Sequence, residues 1–299
     1  MPIRLRSIPK IFKTAVKKWW SRDPFKESSV IAYSTIFSLP GLMVVIVTLA
    51  GYFFGAELIN KHIHTTISGV LGVETANQIQ AMMIHTMTSK DSIWATIFGI
   101  VTILVGATGV FTHIQKSLNI IWEVEAKKEK SGIWTLVKLR LFSFGLIMSI
   151  AFLLLVSLVV SSALAAAGDW IKLNLTSSLI WLFNILNFIT SFAIISLLFA
   201  MMYKVLPDAK VKWRTVWVGA VVTALLFTVG KTLLGFYFGK VEPGSGYGAA
   251  GSIILILLWT SYSSMIFFFG AEFTRAYSDY HFGNVPPNEV AVKKKGRIK

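Results

Sequence analysis

Few residues in this chain could do chemistry, and most of those stand inside runs too apolar to hold a charge cheaply. Glu272 lies in GAEFTRAYSDY, near the end of the last apolar run. A carboxylate late in a helix opposes the macrodipole and calls for a partner. Arg275, three residues on, is a local one. Gln115 and Asn119 lie where a second run, GATGVFTHIQKSLNIIW, turns polar. Tyr33 and Ser34 open the first run at the same membrane level. Tyr33, Ser34, Gln115, Asn119 and Glu272 therefore make a candidate polar seam at the inner face. It reads either as a hydrogen-bonded clasp between spans or as a vestibule for a polar headgroup or a proton.

A second candidate cluster lies in the outer half. Lys231 sits about 27 Å along its apolar run, counting ~1.5 Å per residue from Trp213. One reading has it snorkelling to the interface. The other has it facing Asn184 and Asn187, where a lysine flanked by amides suits a phosphate or carboxylate.

Catalytic patterns are absent from the sequence. It has no GxSxG, HExxH, P-loop or carboxylate cluster, and no cysteine. His62, His64 and His85 fall in one loop without a carboxylate at ligand spacing, so no metal site is assigned. We expect neither an enzyme nor a cofactor.

The elements that must position these groups are membrane spans. The chain has 299 residues, 55% hydrophobic and 14% charged, where a soluble domain carries about 25% charged. Several apolar runs exceed the ~18 residues that mark a span. We expect an all-α integral membrane protein with six spans, at about 30–54, 93–111, 141–167, 179–203, 214–238 and 249–274. Pro40 kinks the first. Gly106, Gly109, Gly219 and Gly270 admit close helix packing.

Net charge is +15. In a soluble protein that would point to nucleic acid, but here the basic residues fill alternate loops. Twenty-four Lys and Arg fall on one side and four on the other, which places both termini in the cytoplasm. No nucleic-acid partner is expected.

Residues 1–29 form a basic segment. Ile11, Phe12, Ala15, Val16, Trp19 and Trp20 cover one half of a helical wheel, and Lys10, Lys13, Lys17 and Lys18 the other. That pattern predicts an amphipathic helix in the membrane interface, with tryptophan at headgroup level and lysine on anionic lipid headgroups. Asp23-Pro24 should cap and break it. Residues 30–280 form the membrane domain. Residues 281–299 read as a disordered basic cytoplasmic tail. The outer loop 55–92 should hold two short amphipathic helices, about 56–71 and 74–87, and offers a surface for an envelope protein. None of this fixes an oligomeric state.

Four segments together resemble the YihY/virulence factor BrkB family of bacterial inner-membrane proteins. They are Ile31 to Pro40, Gly106 to Trp122, Leu206-Pro207 through Val211, Trp213, Arg214 and Gly219-Ala220, and Tyr247-Gly248-Ala249 through Trp259 to Gly270-Ala271-Glu272. Many members have a second tyrosine where this chain has Ser34. The resemblance implies six spans with both ends inside, a bacterial cytoplasmic (inner) membrane location and a link to the cell envelope or lipid export. The family is also labelled ribonuclease BN, but this chain offers no residues for metal-assisted or histidine-based RNA cleavage. The expected function is movement or handing-on of a lipid or other amphipathic envelope molecule. The alternative is a non-transporting scaffold for envelope assembly.

Overall fold

The computed structural model describes residues 7–37, 56–88, 109–127, 177–241, 243–289 and 291–293. Helix α1 (Ile8–Ser21) is followed by α2 (24–37), α3 (Ala56–Leu71), α4 (Val73–Thr88) and α5 (109–122). Strand β1 (Val124–Ala126) comes next, then α6 (Ser177–Val205), α7 (Trp213–Val241), a 3-10 turn (Ser245–Ala250), α8 (Gly251–Phe282) and β2 (Ala291–Lys293). The described chain is thus all-α apart from one short ribbon. Three segments are long and apolar enough to cross a membrane: Ile185–Val205, Trp213–Val241 and Gly251–Phe282. They correspond to the spans expected at 179–203, 214–238 and 249–274. Of the span expected at 30–54, residues 30–37 are described and are helical. The span at 141–167, most of the one at 93–111, Pro40 and Gly106 lie outside the described residues.

Helix boundaries follow local chemistry. Between α1 and α2, Asp23 adopts a left-handed φ of 54°, which a short polar side chain tolerates. Its carboxylate accepts the Lys26 backbone N–H at 3.5 Å, and Pro24 takes the first helical position, where its fixed φ fits. Gly72, with φ 89°, is the single residue between α3 and α4. It closes α3 through Gly72 N to Ser68 O at 3.2 Å. Glu123, at φ 53°, ends α5 and turns the chain into β1.

The chain divides into two compact units. The first comprises Met1–Ala15, Leu118–Leu226 and Gly270–Lys299. Here the first turns of α7 cross the last turns of α8 on small residues. A Cβ at Gly219 would collide with the Thr274 side chain, and one at Gly270 with Thr223 and Tyr203. Each threonine hydroxyl donates back one turn, Thr223 to Gly219 O at 2.7 Å and Thr274 to Gly270 O at 2.6 Å. The motif GAxxT therefore occurs once in each helix, and each threonine covers the other helix's glycine. That reciprocity requires the two helices to run antiparallel. Tyr203 from α6 closes the crossing, its hydroxyl 3.1 Å from Thr223 Oγ1.

The C-terminal segment of this unit corrects the expectation of a disordered tail. β2 pairs antiparallel with β1, Val124 opposite Lys293 and Ala126 opposite Ala291. Before it, the chain docks on the α6–α7 connection. Lys210 N donates to Pro286 O and Asn288 N to Asp208 O, both at 2.9 Å. Backbone pairing orders a stretch whose composition alone reads as loose.

The second unit comprises Val16–Ser117 and Phe227–Phe269. Phe227 meets Trp259 edge-on at 5.8 Å, and Gly230 leaves room for Tyr262. The helices α3 and α4 lie against the far ends of α7 and α8. Ser252 donates to Gln78, and a Cβ on Gly235 would stand 3.9 Å from Gly69 O. Trp19 donates its indole N–H to Met265 O at 3.1 Å and meets Phe269 edge-on at 5.9 Å. This corrects the simple amphipathic picture of α1. Ile11, Ala15 and Trp19, four residues apart, face protein. Ile8, Phe12, Val16 and Trp20 form the exposed apolar stripe beside them.

Candidate functional site

In the first unit, Asn119 near the end of α5 meets Asp208 in the α6–α7 connection. The Asn119 amide donates to Asp208 Oδ2 at 2.7 Å, and its carbonyl oxygen accepts Asp208 N–H at 2.8 Å. The Leu206-Pro207 step ends α6 and puts Asp208 at the turn. Of the expected seam, Asn119 is thus held by Asp208, a residue that the seam did not include.

Glu272 is fully buried on α8. Arg275, expected as its local partner, also reaches other groups. The Arg275 guanidinium donates to Ile121 O and to Glu123 Oε1 at 2.7 Å, and lies 3.4 Å from Asp279 Oδ2. Arg275 thereby caps the C-terminus of α5, where the helix dipole favours a cation, and keeps its charge paired while itself only 5% exposed. Lys204 does a similar task for the next connection. It donates to Val211 O and lies 5.7 Å from the Trp213 ring.

Tyr33, Ser34 and Gln115 belong to the second unit. Tyr33 is exposed and packs on Phe37 at 4.9 Å between ring centroids. Ser34 donates to its own helix at Val30 O, at 2.9 Å. The structure thus assigns the five seam residues to two units, Asn119 and Glu272 to one and the other three to the second. In the second unit the polar contact between α2 and α5 is made by residues the seam did not include. Glu27 Oε2 accepts from Ser117 Oγ at 2.6 Å and stands 3.2 Å from His113 Nε2.

Of the outer-half cluster, Lys231 on α7 and Asn187 on α6 are both exposed and fall in different units; Asn184 lies on α6. In the loop helices, His64 Nε2 meets Asn77 Oδ1 at 2.9 Å. Among the described residues no three His, Cys, Asp or Glu side chains group as a metal site. No described residue sits within 4 Å of a Cβ built at Gly109, whereas Gly219 and Gly270 are both closely covered.

Asp208, Glu123, Asp279 and Glu27 are the carboxylates that sequence reasoning passed over. Asp208, Glu123 and Glu27 join segments far apart in the chain, so no local spacing announces them, whereas Asp279 meets Arg275 four residues back on its own helix. The one available signal was Asp208 following Leu206-Pro207, within a segment singled out for its resemblance. Each of the four is engaged by a described hydrogen bond or ion pair, Asp208 with Asn119, Glu123 and Asp279 with Arg275, and Glu27 with Ser117.

The virulence factor BrkB family model matches residues 15–294. The chain belongs to that family. BrkB-family relatives named UPF0761 membrane proteins support the assignment. One from Rhodospirillum centenum is 23% identical over 95% of this chain and 61% of its own length. One from Mannheimia succiniciproducens is 25% identical over 90% of each, and one from Pseudoalteromonas atlantica is 26% identical over 82% of this chain and 78% of its own. The chain thus spans about three fifths of the Rhodospirillum protein. No solved structure matches it significantly. With three long apolar helices and this membership, the BrkB-family chain is a multi-pass membrane protein.

Proposed function

We propose that this chain moves or hands on a lipid or other amphipathic envelope molecule in the bacterial cytoplasmic membrane, with six spans and both termini cytoplasmic. The observation that carries the reading is Glu272, a carboxylate with no exposure in the last apolar helix. An ionisable group inside a span is costly in lipid and marks a pathway or a relay more often than it adds stability. The exposed stripe Ile8, Phe12, Val16 and Trp20 and the lysines Lys10, Lys13 and Lys17 suit a surface of anionic headgroups on the cytoplasmic side. RNA cleavage forms no part of the proposal, since the sequence holds no residues for it.

Reconstitution tests the reading. Full-length protein in liposomes carrying a fluorescent lipid should speed exchange between leaflets, measured by loss of signal to an impermeant quencher. Glu272→Gln should slow it at equal protein content. Exchange no faster than in protein-free liposomes would remove lipid movement. A second reading, a scaffold for envelope assembly, is favoured by the order of α3 and α4 against α7 and α8. Capture of one envelope protein, lost when residues 55–92 are replaced, would support it.

A further inference from the structure

Glu27 opens α2 three residues before the first apolar run, at headgroup level. Its two carboxylate oxygens stand in unlike surroundings. Oε2 accepts from Ser117 Oγ on α5 at 2.6 Å, with His113 Nε2 3.2 Å away. Oε1 makes no hydrogen bond or ion pair with any described residue, and the Glu27 side chain keeps 29% of its exposure. A clasp between two helices needs only Oε2. Holding it aims Oε1 outward in one orientation, as an acceptor prepared for a charged donor.

The surroundings narrow the donor. Val30, Ser34 and Phe37 follow Glu27 at helical spacing on one face of α2, and Val30 and Phe37 are exposed. On α5, Gly109 lies one turn before His113 and has open space where a side chain would be. Among the described residues, exposed Val30 and Phe37 thus continue the Glu27 face of α2, and exposed Gly109 the His113 face of α5. Exposed Lys26 and Lys116 flank Glu27 and Ser117. A carboxylate oxygen with an exposed lysine next in sequence on each helix, and exposed apolar residues following it on α2, matches a headgroup that carries both an ammonium and a phosphate, on acyl chains. We propose that the surface where α2 meets α5 at Glu27 binds an aminophospholipid, its primary ammonium donating to Glu27 Oε1 and its phosphate meeting Lys26 or Lys116. A primary ammonium offers three donors and needs no bidentate geometry. The site depends on placement in the membrane and stands whether or not the protein moves lipid.

The test uses delipidated full-length protein and native mass spectrometry. Phosphatidylethanolamine, its mono-, di- and trimethyl derivatives and phosphatidylglycerol, all with the same chains, are added in turn. Occupancy should fall stepwise with methylation, to roughly a tenth at the trimethyl lipid, since each methyl removes a donor from a charge-assisted bond. A flat series overturns the proposal without any variant. Glu27→Gln, of the same shape and able to keep the Ser117 contact, should erase the preference for the primary amine. A preference retained in Glu27→Gln also overturns it. Phosphoethanolamine without acyl chains separates the sources. Failure to displace the lipid supports a membrane ligand, and displacement at equal concentration overturns the lipid assignment in favour of a soluble amine.

Discussion

Asn119 and Asp208 hold each other by two hydrogen bonds, one from the asparagine amide to the aspartate carboxylate and one from the aspartate backbone N–H to the asparagine carbonyl oxygen. They are 89 residues apart in sequence. The pair ties the end of α5 to the connection between α6 and α7. That connection in turn receives the C-terminal segment through Asp208 O.

Asn119→Ala should therefore destabilise the protein by about 1–3 kcal/mol, the usual penalty for stranding a part-buried partner. Asp208→Ala should cost a similar amount, and the double variant little more than either single one, because both break the same contact. Thermal unfolding of detergent-purified protein measures this. Fully additive losses would show that the two residues act separately.

The reciprocal crossing of α7 and α8 predicts a strong difference between glycines. Gly219→Val and Gly270→Val force a side chain into Thr274 or Thr223 and should lower membrane abundance severely, since overpacking commonly costs about 1–3 kcal/mol and these positions cannot yield. Gly109→Ala meets no described atom within 4 Å and should leave abundance near that of the parent. Equal abundance of all three by immunoblot would refute the crossing.

Arg275 serves a helix end, a loop carboxylate and its own helix at once. A lysine keeps the charge but lacks the planar fork. Arg275→Lys should thus lose a large share of the stability lost by Arg275→Ala, which is about 1–3 kcal/mol, since Glu123 and Asp279 are partly exposed and can be solvated once the guanidinium is gone. Recovery of full thermal stability in Arg275→Lys would show that charge alone matters there.

Topology is open to direct assay. Reporter fusions at Lys61, Lys172 and Lys240 should lie outside, and fusions at Lys128, Lys210 and the C-terminus inside, because basic residues collect on the cytoplasmic side. A cytoplasmic signal at Lys61 would overturn the six-span arrangement.

By itself the sequence determined the solvent and the elements. Long apolar runs are helices in a bilayer because each backbone N–H must find its acceptor within the helix. The last three expected spans accordingly coincide with α6, α7 and α8, and periodicity alone placed α3 and α4 within residues 55–92 to within two residues. Asp23-Pro24 announced the break after α1 because its chemistry is local. Tertiary structure decided the pairings. Asn119 found Asp208, Arg275 reached the end of α5, and Trp19 turned inward while Trp20 stayed exposed. Those choices depend on which distant side chains arrive at a few ångströms, a distance that residue type and spacing along one helix do not encode. The C-terminal strand shows the same limit. Its lysine-rich composition reads as a free tail, and only a partner strand more than 160 residues earlier, at Val124–Ala126, gives its backbone donors somewhere to go.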